Sequence, residues 1–214
     1  MGLQSEFDVL LDSPDPLKGL DSLIWGNLTA GSESSEHPWR LGSLATIEVA
    51  ADSAFRPQSR TVVLRHADSN ARLVECHTDA RSGKVGQLKQ GQSGAEASWL
   101  FYKHGTGIQL RLNGRTHVIN GGEADRAWQA TPLRSRAAYL SISTPGEPAE
   151  GIQPPDTSDR QTTLAESERG RDNFRIVRTR VDTVDLVYLR RGGHVRAKLS
   201  YPTDSAVTVT WVVP

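Results

Sequence analysis

Hydrophobic positions along this chain recur at two periods, and each period predicts a different element. Near the start the spacing is helical. Residues 3–12 (LQSEFDVLLD) read as a short helix or a docking arm. From Pro16 onward, Leu17, Leu20, Ile24 and Leu28 stand three or four positions apart, which lines one face of a helix. Asp15-Pro16 suits its start, and Gly31 with the polar run SESSEHP suits its end. From Thr46 the period falls to two. TIEV at 46–49 predicts a strand, ADSAFRPQS a turn-rich stretch, TVVLR a second strand, ADSN a turn and ARLVECHT a third strand. VGQLKQGQ predicts a short helix closed by Gly91. ASWLFYK at 97–103 has one apolar, aromatic face. IQLRLNGRTHVI at 108–119 alternates, with Ile108, Leu110 and Leu112 on one side and Gln109, Arg111 and Asn113 on the other.

A helical patch follows, GGEADRAWQA and then PLRSRAAYLS, with Pro132 placed for a first helical turn. Residues 144–161 are rich in proline and poor in apolar side chains, which predicts a long surface loop or lid. TLAESERGR predicts one more helix. FRIVRTRVDTVDLVYLRR, HVRAKLSY and AVTVTWVVP return to the strand pattern, the first two joined by a Gly192-Gly193 turn. The connections are too short for parallel crossovers. About seven strands and three to five short helices therefore predict a mainly β fold with flanking helices, packed as an antiparallel barrel. The expected organisation is a single domain, with an N-terminal helical arm over 1–36 and the barrel over 37–214.

Composition narrows the function classes. Basic and acidic residues balance at 25 each, so no global field points to nucleic acid. No apolar run approaches the roughly 20 residues of a membrane span. The opening residues carry acids and no basic stretch, so no signal peptide is expected, and a cytoplasmic protein is. Cys76 is the single cysteine, which excludes an internal disulfide framework and a multi-cysteine metal site. The six histidines form no HExxH or Cys-His cluster, so no metal is expected. Neither GxGxxG after a strand nor GxSxG is present.

The candidate chemistry centres on Arg60 to Lys84. Thr78, Asp79, Arg81, Ser82 and Lys84 fall within seven positions between a strand and a helix. Short hydroxyls, basic groups and free backbone N–H groups there suit a phosphate, and Arg60 could add a bidentate guanidinium. A solvated helix start fits the same residues. A Walker loop does not, because Thr78 and Val85 stand where a glycine and a hydroxyl are needed. Gln109 offers a donor and an acceptor to the edge of a flat heterocycle, or to solvent. His194 and Arg196, two apart, share a strand face suited to an anion or a ring carbonyl, or to a surface salt bridge.

RTVVLR, HTDARSGK, IQLRLNG, HVRAKL and WVVP, in that order, resemble the pyridoxamine 5′-phosphate oxidase-like FMN-binding split barrels. HPWR at 37–40, LATI at 44–47 and the Trp128–Tyr139 segment resemble a subgroup described only as FMN-binding oxidase-related proteins. The resemblance runs from Pro38 to Pro214. It implies an antiparallel six- to seven-stranded split β-barrel, a homodimer, and FMN at the subunit interface. Arg60 and Lys84 match the family's phosphate-binding residues, and Thr78 and Ser82 its hydroxyl contacts. Val62 and Val63 match strand positions lying against the flavin ring. Gln109 matches the glutamine on the isoalloxazine, and Arg196 the arginine at its polar end. Ser143 and Thr144 fall where a Gln-Ser pair meets the phosphate. Arg65 is counted with both cofactor and substrate contacts; Arg134, Arg136 and His194 are further substrate candidates. Gly83, Leu186 and Gly192 depart from the family's pattern. The resemblance thus implies an FMN-dependent oxidoreductase of unassigned substrate, with a non-catalytic flavin-binding, storage or redox-sensing protein as the alternative.

Overall fold

In the computed structural model, which describes residues 2–89, 94–151, 162–203 and 205–214, one long strand organises the sheet. This strand, β7 (Phe174–Tyr188), pairs with β6 (Ile108–Ile119) along one edge. Along its other edge the first half pairs with β4 (Leu73–Asp79) and the second half with β8 (Val195–Ser200). The sheet therefore forks. Its main path runs β2 (Phe55–Val63), β1 (Leu41–Val49), β5 (Ala95–Tyr102), β6, β7, β4, β3 (His66–Asp68), and β9 (Thr208–Val212) continues the branch beyond β8. Every pairing is antiparallel.

The two ends of the path meet where β2 runs into β3. Leu64 N donates to Arg40 O (2.9 Å) and Arg65 N to Glu75 O (2.8 Å). No ladder forms between β2 and β4 among the described residues, so the barrel stays open there. The β6–β7 register shifts between Asn113 and Gly114. A Cβ at Gly114 would run into the Arg180 carbonyl, so the bulge requires glycine.

The inner face holds the core. Leu44, Trp99, Phe101, Leu110, Leu112, Val184 and Leu186 are buried there, each such side chain worth about 1.5–3 kcal/mol. Trp99 Nε1 donates to Thr179 Oγ1 (2.8 Å), which shares a hydrogen bond with Thr116 Oγ1 (2.7 Å), so these three buried polar atoms are satisfied; the buried Trp39 Nε1 has no partner among the described residues. The helices α1 (Leu3–Leu11) and α2 (Pro16–Glu33) put Phe7, Leu20, Ile24, Trp25 and Leu28 into this same core. Arg72 fixes α2 in place. It forks onto Asp21 (3.1 and 2.8 Å) and stacks on Trp25 and Tyr201.

The remaining helices lie around the sheet: α3 (Gly83–Leu88), α4 (Gly122–Ala130), α5 (Leu133–Arg136) and α6 (Leu164–Glu168). Trp128, Tyr139, Phe174 and His77 make edge-on ring contacts at 4.6–5.7 Å, a second cluster beneath α4 and the turn Ala137–Tyr139.

Several elements differ from the sequence reading. The described residues hold nine strands, not about seven. Strand β1 starts at Leu41, five residues before Thr46, and β2 starts at Phe55 inside the stretch expected to be turns. The cause is its edge position: Arg56, Pro57 and Ser59 are exposed and carry no apolar alternation. The ADSN stretch contributes to β3 before it turns. The expected strands at 61–65 and 71–78 do not pair with each other; β2 pairs with β1, and β4 with β3 and β7. His194 precedes β8 and is exposed in its hairpin. The loop expected as a lid falls in part on 152–161, outside the described residues.

Candidate functional site

Arg60 sits opposite Leu44 in the β1–β2 register, and Leu44 sits opposite Trp99 across β1–β5. Arg60 therefore projects from the inner face, at the barrel mouth beside α3. Its Nη1 donates to Thr46 Oγ1 (2.6 Å) and Leu44 O (3.1 Å), and its Nη2 to Gln87 Oε1 (3.0 Å). Thr46 Oγ1 in turn donates to Gln87 Oε1 (2.6 Å). Beside it, Lys84 Nζ donates to Thr78 Oγ1 (2.8 Å) and Ser82 Oγ (3.2 Å). Those hydroxyls lie 3.1 Å apart, and Ser82 Oγ donates to Asp79 O (2.8 Å).

Two half-buried cations thus hold only neutral acceptors among the described residues. The nearby carboxylate is already engaged: Asp79 receives Arg81 Nε (3.0 Å), Arg81 Nη2 (2.8 Å) and the Arg81 backbone N–H (2.8 Å). Burial lowers the proton affinity of Lys84, and the Arg60 charge lowers it further. Burial likewise lowers that of Arg60. Beneath them burial pushes the Cys76 thiol up to about 12, so it stays neutral and contributes no anion. Uncompensated positive charge at low solvent exposure is costly unless an anion completes it. Two cations and two rotatable hydroxyls form a donor set that fits a phosphate dianion.

The other predicted residues divide by face. Val62 is buried beside Arg60, whereas Val63 lies opposite Leu41 on the outer face. Arg65 follows β2 and makes no side-chain hydrogen bond or ion pair among the described residues. Its charge, after burial, holds the His77 imidazole down at about 4. Among the described residues Ser143 and Thr144 make only local bonds, to Ser141 Oγ and Glu147, and follow Ser141 and Ile142, whose carbonyls accept Arg81 Nη2 (3.0 Å) and Nη1 (3.1 Å). Gln109, Val187 and Arg196 form one row across β6, β7 and β8 on the outer face. Arg196 forks onto the buried Asp185 (2.9 and 2.7 Å), which also accepts Arg111 Nη2 (2.5 Å).

The fold therefore brings Arg60, Thr78, Ser82 and Lys84 together, and Gln109 with Arg196, but places the two groups on opposite faces of the sheet. Arg136 is buried and spent on structure. It donates to Thr131 O (2.9 Å), Gln129 O (3.0 Å), Ser167 Oγ (3.3 Å) and Glu168 (2.8 Å), with its guanidinium over the Trp128 ring. Arg134 is exposed on α5. Two contributors escaped the sequence reading, Thr46 and Gln87. Gln87 had a local signal, since it follows Lys84 by three on one helix face; Thr46 depends on the β1–β2 register.

Residues 24–120 match the family model described as the pyridoxamine 5′-phosphate oxidase FMN-binding domain. A curated relative, pyridoxine/pyridoxamine 5′-phosphate oxidase 2 of Arabidopsis thaliana, is 35% identical over 139 residues, 61% of this chain and 65% of that protein. The chain thus spans just under two thirds of that relative. Two solved structures share the fold. One is a pyridoxamine 5′-phosphate oxidase-related FMN-binding protein of Nostoc punctiforme, with TM-score 0.64 and 21% identity over 88% of this chain and 94% of that one. The other is PhzG of Burkholderia lata, in complex with tetrahydrophenazine-1-carboxylic acid, with TM-score 0.62 and 20% identity over 98% and 96%. The fold and the matched region define an FMN-binding split barrel. The chain is similar over this region to the pyridoxamine 5′-phosphate oxidase-like FMN-binding proteins, and FMN is the cofactor that the matched domain indicates.

Among the described residues no helix is long and apolar enough to cross a membrane. None of them gathers three or more His, Cys, Asp or Glu side chains in a way that could hold a metal ion.

Proposed function

We propose that this chain is an FMN-dependent oxidoreductase that works as a homodimer, with its cofactor phosphate at Arg60, Thr78, Ser82 and Lys84. The observation that carries the reading is the pair of half-buried cations whose partners are all neutral. FMN, once bound, supplies two-electron redox chemistry at its ring. The chain supplies charge neutralisation, through Arg60 and Lys84, and hydrogen bonds from hydroxyls that rotate to donate. Ser143 and Thr144 complete the phosphate side.

The ring side requires a second copy. Gln109 and Arg196 belong to the outer face, so one flavin reaches both groups of residues only where the outer face of one protomer covers the barrel mouth of another. That face is apolar where it should be polar. Leu41, Ile47, Val49, Leu100 and Tyr102 line it on β1 and β5, and Phe55 on the edge strand is 75% exposed. Contiguous exposed apolar area of this kind marks an interface. Gln109 meets Tyr102 directly in register. Arg196, oriented by Asp185, presents a fixed guanidinium two strands away in the same row, suited to negative charge developing on the ring's polar edge.

Arg65 is the substrate-side cation in this reading, because its guanidinium is not committed elsewhere among the described residues. The relative's name makes pyridoxamine 5′-phosphate the first substrate to try. The test is direct. The purified protein should show flavin absorption or acquire it with added FMN, and Arg60→Ala with Lys84→Ala should abolish retention. A protein that stays colourless with FMN, with an unchanged melting temperature, refutes the cofactor site. Oxygen consumption with pyridoxamine 5′-phosphate separates an oxidase from a carrier.

A further inference from the structure

We propose that Arg81 is a positioning residue for the cofactor phosphate, masking the charge of Asp79 and tying residues 141–144 to the cluster. This rests on the phosphate site proposed above, which assigns Arg81 no role. Asp79 ends β4, next to Thr78 and just ahead of Ser82 and the start of α3. Its field reaches the site, since it raises the proton affinity of Lys84. A bare carboxylate there would repel a phosphate dianion. Arg81 engages both Asp79 oxygens, and its backbone N–H adds a third bond to one of them.

The same guanidinium also donates to Ser141 O and Ile142 O. Little else holds that segment. The Ile142 side chain is 85% exposed, so no apolar burial anchors it. The bonds downstream are local, from Ser141 Oγ to Ser143 O and from Thr144 N to Glu147. One planar fork thus performs two tasks that a lysine could not combine. It removes an anion from the approach to Lys84, and it fixes the backbone that carries Ser143 and Thr144.

The reading separates charge from tether, and both from general damage. FMN and riboflavin, which differ by the phosphate, are titrated by fluorescence quenching against wild type, Arg81→Ala, Arg81→Lys, Asp79→Asn and the double variant Asp79→Asn/Arg81→Ala. Arg81→Ala should bind FMN about tenfold more weakly and riboflavin as wild type does. The double variant should recover much of that loss, because the unmasked carboxylate is gone. Arg81→Lys, which keeps the charge and loses the fork, should fall between. Asp79→Asn alone should stay within about twofold of wild type.

Wild-type FMN affinity in Arg81→Ala overturns the inference alone. So does an equal loss of FMN and riboflavin, which would mean structural damage, and so does a double variant no better than Arg81→Ala. A wild-type chain that binds FMN no more tightly than riboflavin overturns the phosphate site and this inference with it.

Discussion

Replacing His77 by phenylalanine should make the protein resist acid. The imidazole lies on β4, edge-on to Phe174 at 4.6 Å, and donates no hydrogen bond among the described residues. Phenylalanine keeps the ring contact and removes the titration. Burial is the main cause of the depressed proton affinity, followed by the charges of Arg65 and Arg40, and together they bring it from 6.5 to about 4. At about 1.4 kcal/mol per tenfold change in proton affinity, that gap is worth about 3 kcal/mol. The direction follows from linkage. Between those two values the unfolded chain binds a proton that the folded chain refuses, so stability falls as pH drops through 6.5 toward 4. Urea unfolding of both proteins at about pH 7.5 and about pH 4 reads the effect. The advantage of His77→Phe should grow by about 3 kcal/mol across that interval and level off below it. Other groups titrate in both proteins, and the difference removes them. An advantage that is the same at both ends refutes the placement of a neutral, half-buried imidazole beside Arg65.

Two further outcomes follow from the site and the sheet. Thr46→Val keeps the shape of the side chain and removes the acceptor of Arg60 and the donor to Gln87; FMN affinity should fall about tenfold, with about 1–3 kcal/mol lost in thermal or urea unfolding. Leu100→Glu places a charge in the middle of the apolar outer face; sedimentation should show monomers and FMN retention should fall together, whereas a monomer that keeps FMN would refute a cofactor shared between copies.

Strict alternation made β6 legible to the residue, because a strand with one dry face and one wet face must alternate. Helical spacing made the start and buried face of α2 legible, with Leu20, Ile24 and Leu28 fully buried, although the helix continues past Gly31 to Glu33. The start of β2 was not legible. An edge strand whose outer half faces solvent carries no apolar signal, and its ladder with β1 is a property of the partner strand.

The site was legible in the same proportion. Local spacing was enough for the short-range half: Thr78, Ser82 and Lys84 lie within seven positions, and local backbone geometry brings their side chains together. The sequence also carried the resemblance by which Arg60 was joined to them. What Arg60 touches depends on long-range packing, since Thr46 and Gln87 reach it from another strand and from α3. Only the structure decided that Arg136 is consumed in packing. The parity of the β1–β5–β6 register put Gln109 and Arg196 on the face opposite Arg60. A face is set by which strands pair and in what register, and β1–β5 and β4–β7 pair across long stretches of intervening chain.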